Sequence, residues 1–450
     1  MLEPNRPTGG TPPRDPGTTG RWVLVLDPGL DDPRPALRAA GLTRSAPGTE
    51  VLGGTGGGED VEALLFPELH MAVVACERSR LAPLLGPPIE HPPVLAVAPE
   101  LVHRVLAGHP APEQDGYVAG YRDGVADLGA RLLGRTVPPA PPGPPGQPPP
   151  GTPPSEPSPP VPLPPVFRDD HASTWGLQAV QAVGSPFTGA GVRVAVLDTG
   201  LDLGHPDVAG REVTARSFVP GESAQDGHGH GTHCAGTVAG PAAPAEGPRY
   251  GTAPGAVLFA GKVLADDGSG ADAQVLAGIE WALANRCDIV SLSLGSDVRE
   301  VSPTYTAAGL RAMDRGTLLV AAAGNNADRV NGDPGFVGAP ANSPHVMAVG
   351  ALTHQLDPAF FSARSLPVRG GHVDLAAPGL EVRSAWPMPE RHRTISGTSM
   401  AAPHAAGVAA LWAEATGRRG RELWAVLVQE AHRLAAPSVD VGSGLVVAPR

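Results

Sequence analysis

Short apolar runs and segments of helical period alternate along this chain, and the character of the alternation changes twice. Residues 22–26, Trp-Val-Leu-Val-Leu, predict a buried strand. A short helix follows at 35–40, strands at 50–52 and 69–76, a helical run at 78–85 and a closing strand at 93–102 that Pro99 weakens. Strand, helix, strand, strand, helix, strand is the order of a split βαβ unit. Residues 21–107 are therefore read as a small α+β domain of ferredoxin-like type, behind a disordered tail at 1–20 rich in Pro, Gly and Thr. Between 108 and 135, Tyr117, Val118, Tyr121, Val125, Leu128 and Leu132 recur at helical spacing. Gly116, Gly120 and Gly124 line another face, and Arg122, Asp123 and Asp127 rule out a membrane helix. Residues 136–166 are so rich in proline that an extended, semi-rigid linker is expected.

From 167 to 450 the pattern is a regular α/β one. Strands are expected at 192–198, 257–263, 289–294, 317–323, 346–351 and 372–376. A helix at 271–285 carries Val275, Leu276, Ile279 and Leu283 on one face, and another runs to Thr416 before Gly417. Such alternation implies a mostly parallel sheet covered by helices on both sides, a three-layer arrangement. Sites in such sheets form beyond the carboxyl ends of the strands, where Asp198 ends one strand and Asn325 follows another.

Composition narrows the function. The formal net charge of −12 argues against nucleic acid or an anionic membrane as partner. No run reaches the roughly 18 apolar residues that a spanning helix needs. The first twenty residues lack the basic start and apolar core of a secretory signal, which makes the cytoplasm the default location. Cys76, Cys234 and Cys287 are few, odd in number and far apart, so no disulfide framework is expected.

Three segments carry chemistry. Ser396-Gly-Thr-Ser-Met-Ala-Ala-Pro-His404 puts Ser399 at a helix start, with Pro403 expected to be tolerable because it lies close to the first turn. Unpaired N–H groups there can hold an oxyanion. Val194-Ala-Val-Leu-Asp-Thr-Gly200 puts the Asp198 carboxylate at a strand end, with Asp202 and Asp207 as competitors in the next loop. His230-Gly-Thr-His-Cys-Ala-Gly236 supplies a base, and His228, His230 and His233 lack the ligand pattern of a zinc site. Taken singly, an aspartate at a strand end caps a helix more often than it serves catalysis, and an asparagine after glycine is only a turn.

Together, in the order Asp, His, Ser, these motifs resemble the subtilisin-like serine proteases over about the last three-fifths of the chain. The resemblance implies a serine endopeptidase working through an acyl-enzyme, with Ser399 as nucleophile, His230 as general base and Asp198 orienting it. It implies Asn325 as oxyanion donor, Ser293, Leu294 and Gly295 with Ala322, Ala323 and Gly324 as substrate-flanking segments, and Gly338 as the floor of the pocket before the cut. Asn326 stands where an acid could follow Asn325, so large apolar residues are expected before the cut. Cys234 falls where some relatives keep a buried thiol beneath the histidine, through which mercurials would inhibit. His233 is expected to be structural and His228 solvent-facing.

By position, 21–107 resembles the inhibitory prodomain of these proteases, with Val102-His-Arg-Val-Leu106 as the tail lying in the cleft. The expected partners are peptide or protein substrates and the chain's own N-terminal domain; a monomer is expected. A prodomain also makes secretion the alternative location. The segment 240–247 lacks calcium-loop character, and Thr353 stands where some relatives have a ligating aspartate. No cofactor and no metal are therefore expected, and only Asp266 and Asp267 stay open as weak calcium ligands. Two other readings share the cleft: a silent peptide-binding protein, against which the complete constellation argues, and a peptide-maturation enzyme acting by transpeptidation.

Overall fold

The computed structural model describes residues 17–54, 61–85, 92–106 and 166–450. The expected helix at 108–135 and nearly all of the linker lie outside them, as does the tail up to residue 16. The first strand, β1, already begins at Thr18 and runs to Leu26, so 18–20 are strand and not tail.

The N-terminal sheet is built from β1, β2 (Ser45–Pro47), β3 (Ala63–Phe66), β4 (Met71–Val74) and β5 (Val94–Val105). Its order, β5-β1-β4-β3-β2, with β1 antiparallel to both β4 and β5 and β3 antiparallel to β4, is the split βαβ arrangement. Two local expectations fail. Residues 50–52 belong to a short helix, Gly48–Leu52, and the strand is the piece just before it. The apolar run expected as one strand at 69–76 is shorter, and its hairpin partner β3 completes it. Pro99 lies inside β5 opposite Trp22, next to an irregularity in the register with β1, where a missing N–H costs the ladder least.

The faces of this sheet divide cleanly. Leu24, Leu26, Ala63, Leu65, Ala72 and Val74 form the domain's own core with Leu37 and Leu81. Val23, Val25, Leu64, Phe66, Met71 and Val73 point the other way and join the core of the larger body, against its helices Asp272–Ala284 and Pro303–Asp314. Period-two alternation on a strand buried on both faces produces this split. Polar ties fix the seating. Arg311 donates to the carbonyls of Leu69, His70 and Leu26. The buried Glu100 accepts from Arg21 Nε at 2.6 Å and from the Ala273 N–H at 3.0 Å, capping the first turn of the helix it faces.

The large body holds a seven-stranded sheet of β6 (Arg193–Asp198), β7 (Val213–Ser217), β8 (Val257–Lys262), β10 (Ile289–Leu292), β12 (Leu318–Ala322), β13 (Met347–Leu352) and β14 (Leu375–Pro378), where β9 is Ser269–Ala271 and β11 is Leu294–Gly295. The order is β14-β13-β12-β10-β6-β8-β7 and every pairing is parallel. Val194 and Val196 of β6 face the helices His230–Ala239 and Thr398–Thr416; Ala195 and Leu197 face the helix Asp272–Ala284. The result is the expected three-layer α/β body. A two-stranded hairpin, β15 (Val382–Ala385) and β16 (His392–Ile395), lies beside the His230 helix.

Pro403 corrects the sequence expectation. The helix begins at Thr398, so the proline is inside it and beyond the first turn. It cannot donate to the carbonyl four residues back, that of Ser399. That carbonyl is satisfied from outside the helix, by Ser293 Oγ at 2.8 Å and Cys234 Sγ at 3.6 Å.

Candidate active site

Strand β6 delivers Asp198, completely buried, at the carboxyl edge of the sheet. The adjoining turn lets the next helix come close. A Cβ on Gly231 would lie 2.2 Å from the Gly200 carbonyl, so glycine permits the approach that sets His230 over Asp198. His230 Nδ1 stands 2.7 Å from Asp198 Oδ1, and Thr199 N–H donates to the same carboxylate oxygen at 2.8 Å. Burial pulls the imidazole's pKa down, but the adjacent carboxylate outweighs it and holds it well above the ordinary 6.5. Asp202 and Asp207 do not compete. Asp202 accepts from Met388 N–H and Gln225, and Asp207 from Tyr250 and Ala245 N–H.

Ser399, in the first turn of its helix, is fully buried. Its Oγ lies 2.9 Å from the Leu106 carbonyl oxygen and 3.0 Å from that of Ser293, while His230 Nε2 has no hydrogen-bond partner among the described residues. Asn325 donates its side-chain N–H to the same Leu106 oxygen. Thr398 fixes the orientation of that amide, donating to Asn325 Oδ1 from its N–H at 2.9 Å and its hydroxyl at 2.8 Å. One carbonyl of the chain itself therefore sits between Ser399 and Asn325.

The tail is seated as a strand. Val102, His103 and Arg104 pair antiparallel with Ala271, Gly270 and Ser269 of β9, and Arg104 and Val105 pair with Gly295 and Leu294 of β11. Val105 N–H also donates to Gly268 at 2.9 Å. Strand addition of this kind holds a peptide by its main chain and leaves its side chains to be read. Gly295 borders the Leu106 side chain; a Cβ there would lie 3.0 Å from Leu106 Cδ1. The remaining predicted residues sit further back. Ala322 and Ala323 are buried, Ala323 accepts from Gly338 N–H at 3.1 Å, and Gly324 N–H donates to Thr398 Oγ1 at 3.2 Å. A Cβ on Gly338 would meet the Ser296 carbonyl at 2.5 Å, so this glycine serves the packing of the pocket wall.

Cys234 is buried, with Sγ 3.8 Å from His230 Nδ1, and burial raises its pKa, which keeps it a thiol. His233 points away, to the carbonyls of Val382 and Arg393, and burial depresses its pKa to about 3, so it stays neutral while tying its helix to β15 and β16. His228 is only partly exposed and stacks edge-on against His230, 6.3 Å between centroids. Asp266 and Asp267 are engaged, Asp266 by Lys262 and Gly227 N–H, Asp267 by Ser269. Among the described residues, His205, Asp207 and His392 could also gather round a cation, but Asp207 and His205 already hold Tyr250, Ala245 N–H and the Arg391 carbonyl.

Two supporting residues escaped the sequence reading. Asp226 accepts from Thr199 Oγ1, Gly229 N–H and both N–H and Oγ1 of Thr232, locking the turn that enters the His230 helix. Thr398 orients Asn325. The signal for Asp226 was its place four residues before His230, as a side-chain cap of a helix start.

The profile of the Subtilase family matches residues 189–445. The chain belongs to the subtilase family. As a subtilase it is 44% identical over 241 residues to M-protease of Shouchella clausii (strain KSM-K16), a match covering 53% of this chain and 58% of that protein. It is likewise 44% identical over 241 residues to Subtilisin Savinase of Lederbergia lenta, covering 53% of this chain and 82% of that protein. To Subtilisin E of Bacillus subtilis (strain 168) it is 41% identical over 231 residues, covering 50% and 56%.

Proposed function

We propose that this subtilase is a serine endopeptidase that cuts its own chain between Leu106 and Ala107 before acting on other peptides. The observation that carries the reading is the Leu106 carbonyl oxygen, which receives Asn325's amide and lies 2.9 Å from Ser399 Oγ, with the His230–Asp198 pair alongside.

The chemistry follows from the donors. Ser399 Oγ turns from the two carbonyls towards His230 Nε2, a change of one side-chain torsion, and gives up its proton as it bonds to the carbonyl carbon. The oxygen becomes an anion stabilised by Asn325 and the Ser399 N–H at the helix start. Asp198 holds the imidazolium in place. His230 then protonates the leaving amine as the C–N bond breaks, and water releases the acyl group by the same steps in reverse. Leu106 at the cut supports a preference for large apolar residues there, and the seated tail supports an inhibitory role for the N-terminal domain.

Mass spectrometry of the purified chain over time tests the cut: a new N-terminus at Ala107 is expected, and a first cut elsewhere refutes the site. Asn325→Ala should lower turnover on a Leu-containing reporter peptide by about a hundred- to a thousandfold with little change in KM. That is the range seen when one such donor is removed from enzymes of this class. A loss below tenfold would remove Asn325 from the reaction.

A further inference from the structure

We infer that the cleft selects a histidine four residues before the cut, through Asp272 and Tyr305. The inference rests on the peptidase reading above and adds the residue it reads furthest from the scissile bond. Counting back from Leu106, the fourth residue is His103. Its side chain is completely buried between the tail strand and the helices Asp272–Ala284 and Pro303–Asp314. Nε2 lies 2.7 Å from Asp272 Oδ1 and 2.8 Å from the Tyr305 hydroxyl, and that hydroxyl donates to the same Asp272 oxygen at 2.6 Å. The imidazole meets the phenol edge-on, 5.4 Å between centroids at 85°. The other Asp272 oxygen accepts from the Leu101 N–H at 2.8 Å.

Only His103 and Leu101 belong to the departing domain; Asp272 and Tyr305 stay with the body as walls of the emptied pocket. A substrate must then cover the Asp272 carboxylate. An apolar side chain does so without offering a donor, so the buried Asp272 Oδ1 keeps only the Tyr305 hydroxyl and the carboxylate is left one hydrogen bond short. A glutamate adds repulsion. A histidine restores the N–H that His103 supplies, on a ring that fits the Tyr305 edge. Sites built around a hydrogen bond discriminate far more sharply than sites built for apolar volume.

The test uses the full chain as purified, with peptides X-Arg-Val-Leu-Ala-Gly in which X is His, Ala, Leu or Glu. The expected kcat/KM for His exceeds that for Leu at least about tenfold, with Glu lowest. Asp272→Leu should reverse the order of His and Leu, and Tyr305→Phe should narrow the margin. Each comparison is a ratio within one preparation, so the folded fraction cancels. Leu equal to His in the wild type overturns the inference, as does an unchanged ratio in Asp272→Leu. Should that variant be inert, an unchanged ratio in Tyr305→Phe does the same. A wild type that cuts these peptides without favouring His refutes only the selection. A wild type that cuts neither itself nor any peptide refutes the peptidase reading and this inference with it.

Discussion

Ser399→Ala is expected to stay full length indefinitely while the wild type shortens, and to lose about a millionfold in turnover on a Leu-containing reporter peptide. The magnitude is the one seen for loss of the nucleophile in enzymes of this class. The geometry explains why nothing replaces it. Among the described residues, the other group at the Leu106 carbonyl oxygen is the Asn325 amide, a donor without nucleophilic character. Cys234 is the thiol beside the site, but burial keeps it protonated and its Sγ faces the Ser399 carbonyl instead of the tail. The variant should fold, since removing Oγ breaks no contact within the helix, and should keep the tail docked. Intact-mass measurement beside a peptide assay checks both halves. If the wild type also neither shortens nor cuts, the same cleft is that of a peptide-binding protein.

The second large effect is expected at Asp198. Asp198→Asn should lower kcat by about ten-thousandfold, the loss usual when the orienting carboxylate of such a triad becomes an amide. It should also move the pH profile. His230 must be neutral to accept the Ser399 proton, and its pKa in the folded chain stands well above 6.5. Wild-type activity should therefore be low at and below 6.5 and rise as pH passes through that raised value, giving an alkaline optimum. The raising influence is the carboxylate, acting against burial. With asparagine in its place burial dominates, and the residual activity should rise at lower pH than in the wild type. A kcat/KM profile across neutral and alkaline pH decides it; an unshifted limb would mean that another group controls activity.

The candidate site was legible because its residues stand in local motifs. Asp198, His230, Ser399 and Asn325 each stand in a short segment whose spacing announces a strand end or a helix start, and they converge because all four sit at the carboxyl edge of one sheet. What supports them is non-local. Thr398 matters only because Asn325, 73 residues away in sequence, comes within 2.8 Å of its hydroxyl. Asp226 carries a local signal, its place just before the His230 helix, but its bond to Thr199, 27 residues upstream, does not show in the sequence. Pro403 looked like a helix-start residue, yet its tolerance comes from Ser293, 106 residues upstream of the Ser399 carbonyl it relieves. The fold follows the same rule. Strand β6, buried on both faces, was predicted to within a residue. Strand β7, Val-Thr-Ala-Arg-Ser, was missed because an edge strand bonds one neighbour and needs no continuous apolar run. Residues 50–52 read as strand from Val51 and Leu52, while packing against the Asp272–Ala284 helix draws them into a helical turn.

Strand β5 is one unbroken ribbon with two duties. Up to Leu101 it is knitted into the N-terminal sheet, and from Val102 it lies in the cleft. Severing the chain after Leu106 therefore ejects nothing at once, because the fragment still pairs with β9 and β11 and keeps its apolar face packed on the body. On the inhibitory role proposed above, what changes is the order of the inhibition. Before the cut the blocking strand is present at an effective concentration fixed by its tether, and no dilution weakens it. After the cut the fragment is a separate molecule obeying mass action. Freshly processed material would then gain specific activity on dilution and lose it again when concentrated.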